Sequence, residues 1–317
     1  MRKRVYKIVN IFLIFREEII ENMKLILTTT FILLLLFSPS NAQTSQWRPV
    51  NGSRQANISG MALIEHTNLK TTFLIVHDNK KKEQTHAAII TVEGVNAPTY
   101  TPIQWLGDDI PVDLEAVSTI PKTDNEFMAF TATGRVFHIR LHQTAKTIEV
   151  LKSFDVPQIP IDSDFEGFAL QEFGNEYFAV WADRGLDAKP ATLFWSKLNI
   201  QTYAFGNVSL EKITVPYPVG NTRHISDVKV DLSGAVFISS ASDPGNDGPF
   251  ASAIYYIGNF NFNYRESISL RKVPNLTRLF RFDYHKIEAI ELVSGADGGM
   301  VFGTDDENLG AEIYLNY

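Results

Sequence analysis

Ile58-Ser59-Gly60-Met61-Ala62-Leu63, Phe165-Glu166-Gly167-Phe168-Ala169-Leu170 and Ile287-Glu288-Ala289-Ile290-Glu291-Leu292 are three copies of one short pattern. Two looser copies, Leu114-Glu115-Ala116-Val117 and Ile225-Ser226-Asp227-Val228-Lys229-Val230, complete a repeat of about 50–60 residues. Each copy alternates and is rich in strand formers, so each predicts a β-strand. A polar turn follows, such as Lys122-Thr123-Asp124-Asn125 or Ser233-Gly234. Next come a more apolar strand (73–76, 127–130, 177–181, 235–239, 300–302) and a third strand (87–92, 135–141, 191–198, 253–257, 312–315). A fourth closes four units, at 101–106, 148–154, 209–215 and 267–273, whereas the fifth stops at Tyr317 after its third. Residues 47–50 can supply the missing strand and remove the open edges. The fold predicted is all-β, a five-bladed β-propeller with four-stranded blades. A sandwich does not explain five similar openings, and a β-helix repeats over far fewer residues.

The 317 residues are 44% hydrophobic and 21% charged, enough for one large core and without a polar tract suggesting disorder. Met23-Lys24, an apolar run at 25–37 and Ser38-Pro39-Ser40-Asn41-Ala42 read as a secretory signal cut after Ala42. The domain is then 43–317, preceded by an upstream extension and signal at 1–42, and the protein is expected to be secreted or periplasmic. Glu17, Glu18 and Glu21 sit awkwardly ahead of the apolar run, which favours a start at Met23 over an extended signal or membrane anchor. No later stretch is long and apolar enough to span a bilayer, so no stable membrane insertion is expected after cleavage. With no cysteine, disulfides and thiolate chemistry are excluded. The net charge is −7, and residues 1–42 contribute an excess of positive charge, so the rest is more acidic still. Nucleic acid is therefore a poor partner, and the expected state is a monomer.

In a propeller the first strand of every blade lines the axial tunnel, so equivalent positions converge. Here they hold Ser59, Glu115, Glu166, Ser226 and Glu288. Three carboxylates around a narrow axis repel one another or take up protons. A hard divalent cation relieves this: Ca2+ first, Mg2+ second, with oxygen ligands from these five residues. Zinc and copper are disfavoured, since no Cys or His occupies a ring position. The plain alternative is a wet tunnel in which the same side chains bind ordered water.

The Ser, Glu, Glu, Ser, Glu order, and the closing Ile287-Glu288-Ala289-Ile290-Glu291, resemble the calcium-activated nucleotidase (apyrase) family. That resemblance implies a five-bladed propeller with calcium in its tunnel. The family's first motif has Ser followed by Glu, whereas Gly60 follows Ser59 here. The Glu-Ala/Gly-hydrophobic openings also resemble propellers described as having esterase-like activity of phytase.

Loops between second and third strands share a face with the start of the first strand. The spacing from ring position to loop carboxylate is 19 to Asp78 and 17 to each of Asp183, Asp243 and Asp305. Arg184, Arg223 and His224 fall beside them. Read functionally, this set is a hydrolytic site for a small phosphorylated substrate. Asp183 or Asp305 would orient water, Arg184 or Arg223 would stabilise phosphate charge, and His224 would act as acid or base. Read plainly, Asp, Asn and Gly are ordinary turn formers. Phosphoester hydrolysis, a carboxylic-ester or lactone hydrolase and a non-catalytic calcium-stabilised binding module all remain open.

Overall fold

A computed structural model describes residues 47–316 apart from 52, 263–267 and 297. The signal and upstream extension read at 1–42 lie outside the described residues. The alternation read from the five openings produces five sheets, antiparallel except for one short edge strand, each a blade whose first strand faces the axis.

The chain starts with β1 (Trp47–Asn51) and then builds blade 1 from β2 (Gly60–His66), β3 (Lys70–Val76), β4 (Ala87–Glu93) and β5 (Thr99–Pro102). Blade 2 holds β6 (Gln104–Trp105), β7 (Leu114–Thr119), β8 (Glu126–Thr131), β9 (Arg135–His142) and β10 (Thr147–Asp155). Blade 3 holds β11 (Phe165–Phe173), β12 (Glu176–Asp183), β13 (Ala191–Asn199), β14 (Ala204–Phe205) and β15 (Ser209–Ile213). Blade 4 holds β16 (Thr222–Val230), β17 (Ala235–Ser242), β18 (Ala251–Phe262) and β19 (Ile268–Asp283). Blade 5 holds β20 (Ile287–Val293), β21 (Gly299–Thr304) and β22 (Ala311–Asn316), and β1 is its outer strand. The pairing of β1 with β22 is antiparallel, with Trp47 opposite Tyr314 and Asn51 opposite Ala311.

Two strands depart from expectation. The stretch 101–106 splits between blades, because β6 crosses over and pairs parallel with β10. β19 runs to Asp283, well past the predicted end at 273.

Facing sheets bury the apolar strand residues in five wedges, one between each pair of neighbouring blades. Ala62, Leu74 and Val76 meet Val117, Phe127 and Ile139 between blades 1 and 2. Phe130, Phe168 and Trp181 fill the next wedge, and Val180, Trp195, Val228 and Tyr255 the one after. Phe282, Ile287 and Phe302 join blades 4 and 5, and Ile58, Phe73, Val301 and Ile313 join blades 5 and 1. Burying an apolar side chain of this size contributes roughly 1.5–3 kcal/mol, so the wedges outweigh any single polar contact in holding the ring closed.

At the axis the strands come closer than side chains allow. A Cβ on Gly60 would lie 2.7 Å from the Ala116 Cα, and one on Gly167 would lie 2.9 Å from the Val228 backbone nitrogen. This is why the residue after the ring position is Gly, Ala, Gly and Ala in blades 1, 2, 3 and 5. Blade 4 has Asp227 there, whose buried carboxylate accepts hydrogen bonds from the Val228 N–H (2.7 Å) and from the Ile290 N–H of blade 5 (2.8 Å).

Candidate functional site

Glu115, Glu166 and Glu288 each sit at a register shift between the first and second strand of their blade: between Leu114 and Ala116, Phe165 and Gly167, and Ile287 and Ala289. A bulge re-aims the side chain at the extra residue, and here three bulges aim three carboxylates at one tunnel mouth. Ser226 lies in the irregular stretch of β16 between Arg223 and Asp227. Ser59 immediately precedes β2. All five ring positions are buried.

The three glutamates converge, and cations of the chain itself lie among them. The Arg223 guanidinium reaches Glu288 at 2.7 Å and Glu166 at 3.3 Å through Nη1, and pairs with Asp243 through Nη2. Arg184 clamps Glu166 (2.9 Å) and Asp164 (2.7 Å). Lys286 is fully buried, with its ammonium 2.7 Å from Glu307, 3.1 Å from Asp305, 3.3 Å from Glu288 and 3.8 Å from Asp243. The repulsion expected to recruit Ca2+ or Mg2+ is thus relieved by the chain's own cations. Among the described residues no group of three or more His, Cys, Asp or Glu side chains is disposed to hold a metal ion. In the ring itself, Ser59 Oγ accepts a hydrogen bond from the Asp78 N–H (3.2 Å), and Glu166 and Glu288 are paired with Arg223. Ser226 Oγ is buried without a hydrogen-bond partner.

The opposite side of the mouth differs. Glu115 has no hydrogen bond or ion pair among the described residues, and burial, reinforced by the charges of Glu166, Asp78 and Glu288, pushes its carboxyl well above the usual range. Asp78 is partly exposed, and burial followed by the Asp305 charge pushes it up to about 6. On blades 1 and 2, Glu115 and Asp78 hold no ion pair among the described residues, although Lys80 pairs with Asp113 beside them (3.4 Å), while blades 3 to 5 present carboxylates held by Arg184, Arg223 and Lys286. Asp113 (φ 60), Asn221 (φ 50), Tyr284 (φ 74) and Glu307 (φ 51) hold left-handed backbone on the loops of this face. Such strain persists only where the frame over-determines it.

Several residues expected to be catalytic have other duties. Asp183 is buried in its own turn, accepting from the Asp164 N–H (3.1 Å) and the Gly185 N–H (3.2 Å). His224 faces away from the mouth: its Nδ1 accepts from the Val215 N–H (3.3 Å) and its Nε2–H donates to the Asp187 carbonyl (2.8 Å). Asp305 is buried, accepting from Asn57 Nδ2 and from the Glu307 N–H (3.1 Å). Arg184 and Arg223 do reach the mouth, but as partners of carboxylates. Sequence reasoning missed Lys286, although its place two residues ahead of Glu288 was a signal that it shares a strand entry with the ring. It also left out Lys229, whose Nζ crosses the axis to donate to the Met61 carbonyl (2.8 Å) and the Val117 carbonyl (3.0 Å). That ammonium lies 3.4 Å from Glu291 and closes the tunnel below the ring. Beyond it, a cavity of about 370 Å³ opens on the other face, lined by Leu63, Ser118, Gln171, Lys229 and Glu291 among others.

Fold and mouth together define a five-bladed propeller with a carboxyl-lined, self-neutralised axial site. No family model matches the chain, and no curated protein does. Solved structures do align with it. A GH43 β-1,3-galactosidase with galactodeoxynojirimycin aligns at 8% identity over 82% of this chain and 90% of that chain, with a TM-score of 0.48. A Bombyx mori GH32 β-fructofuranosidase aligns at 10% identity over 85% and 61%, with a TM-score of 0.45. An exo-1,5-α-L-arabinanase from a bovine ruminal metagenomic library aligns at 8% identity over 86% and 95%, with a TM-score of 0.45. Similarity at this level carries no argument about chemistry. The resemblance to calcium-activated nucleotidases and phytase-like propellers is nevertheless corrected. No model of either family matches, and Gly60 leaves no space for the acidic residue of the nucleotidase motif. Phosphoester hydrolysis falls with it, since that reading rested on the resemblance and on Arg184 and Arg223, both of which are engaged by carboxylates.

Proposed function

We propose that the mouth is an acid–base site that hydrolyses a glycosidic bond. The observation carrying this reading is the division of its carboxyls into Glu115 and Asp78, which hold no ion pair among the described residues, on one side and arginine-paired Glu166 on the other. Glycoside hydrolysis uses two carboxyl groups in unlike states: a protonated one to donate to the leaving oxygen and an ionised one as nucleophile or base. Glu115 and the more accessible Asp78 are the candidate acids, and Glu166 is the candidate carboxylate. Competing chemistries lack parts among the described residues. Ser59 and Ser226 have no imidazole partner to activate a nucleophile among the described residues, and of the histidines near this face His77, His224 and His285 are held by Asn57, Asp187 and Asp306.

The test is turnover of a panel of aryl glycosides and oligosaccharides. Glu115→Gln and Glu166→Gln should each lower kcat by about 10²-fold or more, and a chelator should leave turnover unchanged. A folded protein inactive across the panel, or glutamine variants as active as the parent, would overturn the reading.

A further inference from the structure

On the mouth face, four loops are tied together by direct hydrogen bonds. Lys189 Nζ donates to the Asp162 carbonyl (3.1 Å), the Asp187 N–H to the Thr222 carbonyl (2.9 Å), and Tyr217 OH to Asp283 (2.8 Å). These contacts chain the loops leading into β11, between β12 and β13, into β16 and into β20. Along that continuous crescent stand Ile161, Val219 and Tyr284 at 103%, 84% and 73% exposure, with Ile159 and Leu186 at 44% and 49%. Single exposed apolar residues are ordinary on a soluble protein, whereas a row of them on adjoining loops marks a contact surface.

We infer that this crescent docks on a lipid surface with zwitterionic headgroups, which sets the tunnel mouth against the membrane. Three observations select lipid over a folded partner or a small ligand. Ile161, Val219 and Tyr284 are tips with little of their surface covered, and a fluid interface closes around each such tip. Exposed Lys80, Lys189 and Arg54 share the face and match lipid phosphates, while Asp162 and Asp187 among the same loops weigh against a strongly anionic surface. The chain also enters the propeller at this edge: the Trp47 ring lies 4.0 Å from the His285 ring, next to Tyr284. In any form of the protein that retains it, the apolar run 25–37 precedes that entry in sequence. The inference is independent of whether the mouth cleaves a glycoside.

The absence of cysteine makes a site-specific test direct. Ile161→Cys and Val219→Cys are labelled with a polarity-sensitive fluorophore, as are Val95→Cys and Leu232→Cys, whose parent residues are 94% and 73% exposed on turns at the other face. With phosphatidylcholine vesicles, emission should shift to the blue at 161 and 219 and stay aqueous at 95 and 232. The double variant Ile161→Asp/Val219→Asp should bind vesicles about tenfold or more weakly. The inference is overturned if the crescent labels stay aqueous, including in protein held to vesicles by another segment. It is equally overturned if all four positions shift, or if the shift at 161 and 219 grows with protein concentration in the absence of lipid, which would mark contact with a second copy.

Discussion

Replacing Gly60 with alanine adds one methyl group at the point where the inner strands of blades 1 and 2 touch. That carbon would lie 2.7 Å from the Ala116 Cα, 2.8 Å from the Val117 nitrogen and 2.9 Å from the Ala116 carbonyl carbon. All three are backbone atoms and cannot rotate away. Ordinary carbon contacts lie near 3.5–4.0 Å, so β2 and β7 must part by roughly 1 Å. Overpacking of this kind costs about 1–3 kcal/mol, which for a domain of this size lowers Tm by about 3–10 °C. Gly60 φ lies outside the left-handed region, so backbone preference adds nothing to the penalty. Urea unfolding is the assay: the midpoint should fall with the slope unchanged, the sign of lost stability rather than altered compactness. Gly167→Ala, facing the Val228 nitrogen at 2.9 Å, should behave alike. If Gly60→Ala unfolds within about 0.5 kcal/mol of the parent, the inner strands are not in backbone contact, and the convergence of the ring carboxyls loses its support.

Lys286→Met should destabilise by about 3–5 kcal/mol, because it leaves Glu288, Asp305 and Glu307 together without their shared ammonium; chemical unfolding reads this directly. Asp78 and His77 give opposite pH signatures. The Asp78 carboxyl is raised to about 6, so the folded state holds a proton that the unfolded chain has lost, and this stabilisation fades as pH climbs from 4 to 6. Burial lowers His77 to about 4, with Asn57 and Tyr100 as its ring partners, so its contribution is present near neutrality and lost as pH falls from 6.5 toward 4. Asp78→Asn should therefore gain on the parent as pH rises across that window, and His77→Gln should gain as it falls. Each trend is bounded by about 3 kcal/mol, and parallel pH series of urea midpoints separate them.

The blades and the ring were legible because both follow from a period. Alternation locates strands, and five similar openings place five equivalent side chains at one axis. The counter-ions carry no period. Arg223 and Lys286 enter from blades 4 and 5 alone, and their pairing with Glu166 and Glu288 depends on distances across the tunnel that no local spacing encodes. One clue was available: neighbouring strand residues face opposite ways, so Arg223 and His224 could not both serve the mouth. Asp183 and Asp305 illustrate the other limit, since a turn-forming aspartate and a site aspartate occupy the same loop position in sequence. The path of β6 into the next blade was likewise hidden, because a two-residue parallel pairing leaves no trace in hydropathy.

Pairing of β1 with β22 has a consequence for biogenesis. The strand that seals the circle is synthesised before every other strand of the propeller, and its neighbour after them. During synthesis, β1 has no sheet to join until β22 has left the ribosome, so closure waits for the whole propeller to be made. Until then Val50 lacks its partners Ile58, Ile313 and Leu315 in the final wedge, leaving an adhesive edge for holding chaperones to cover.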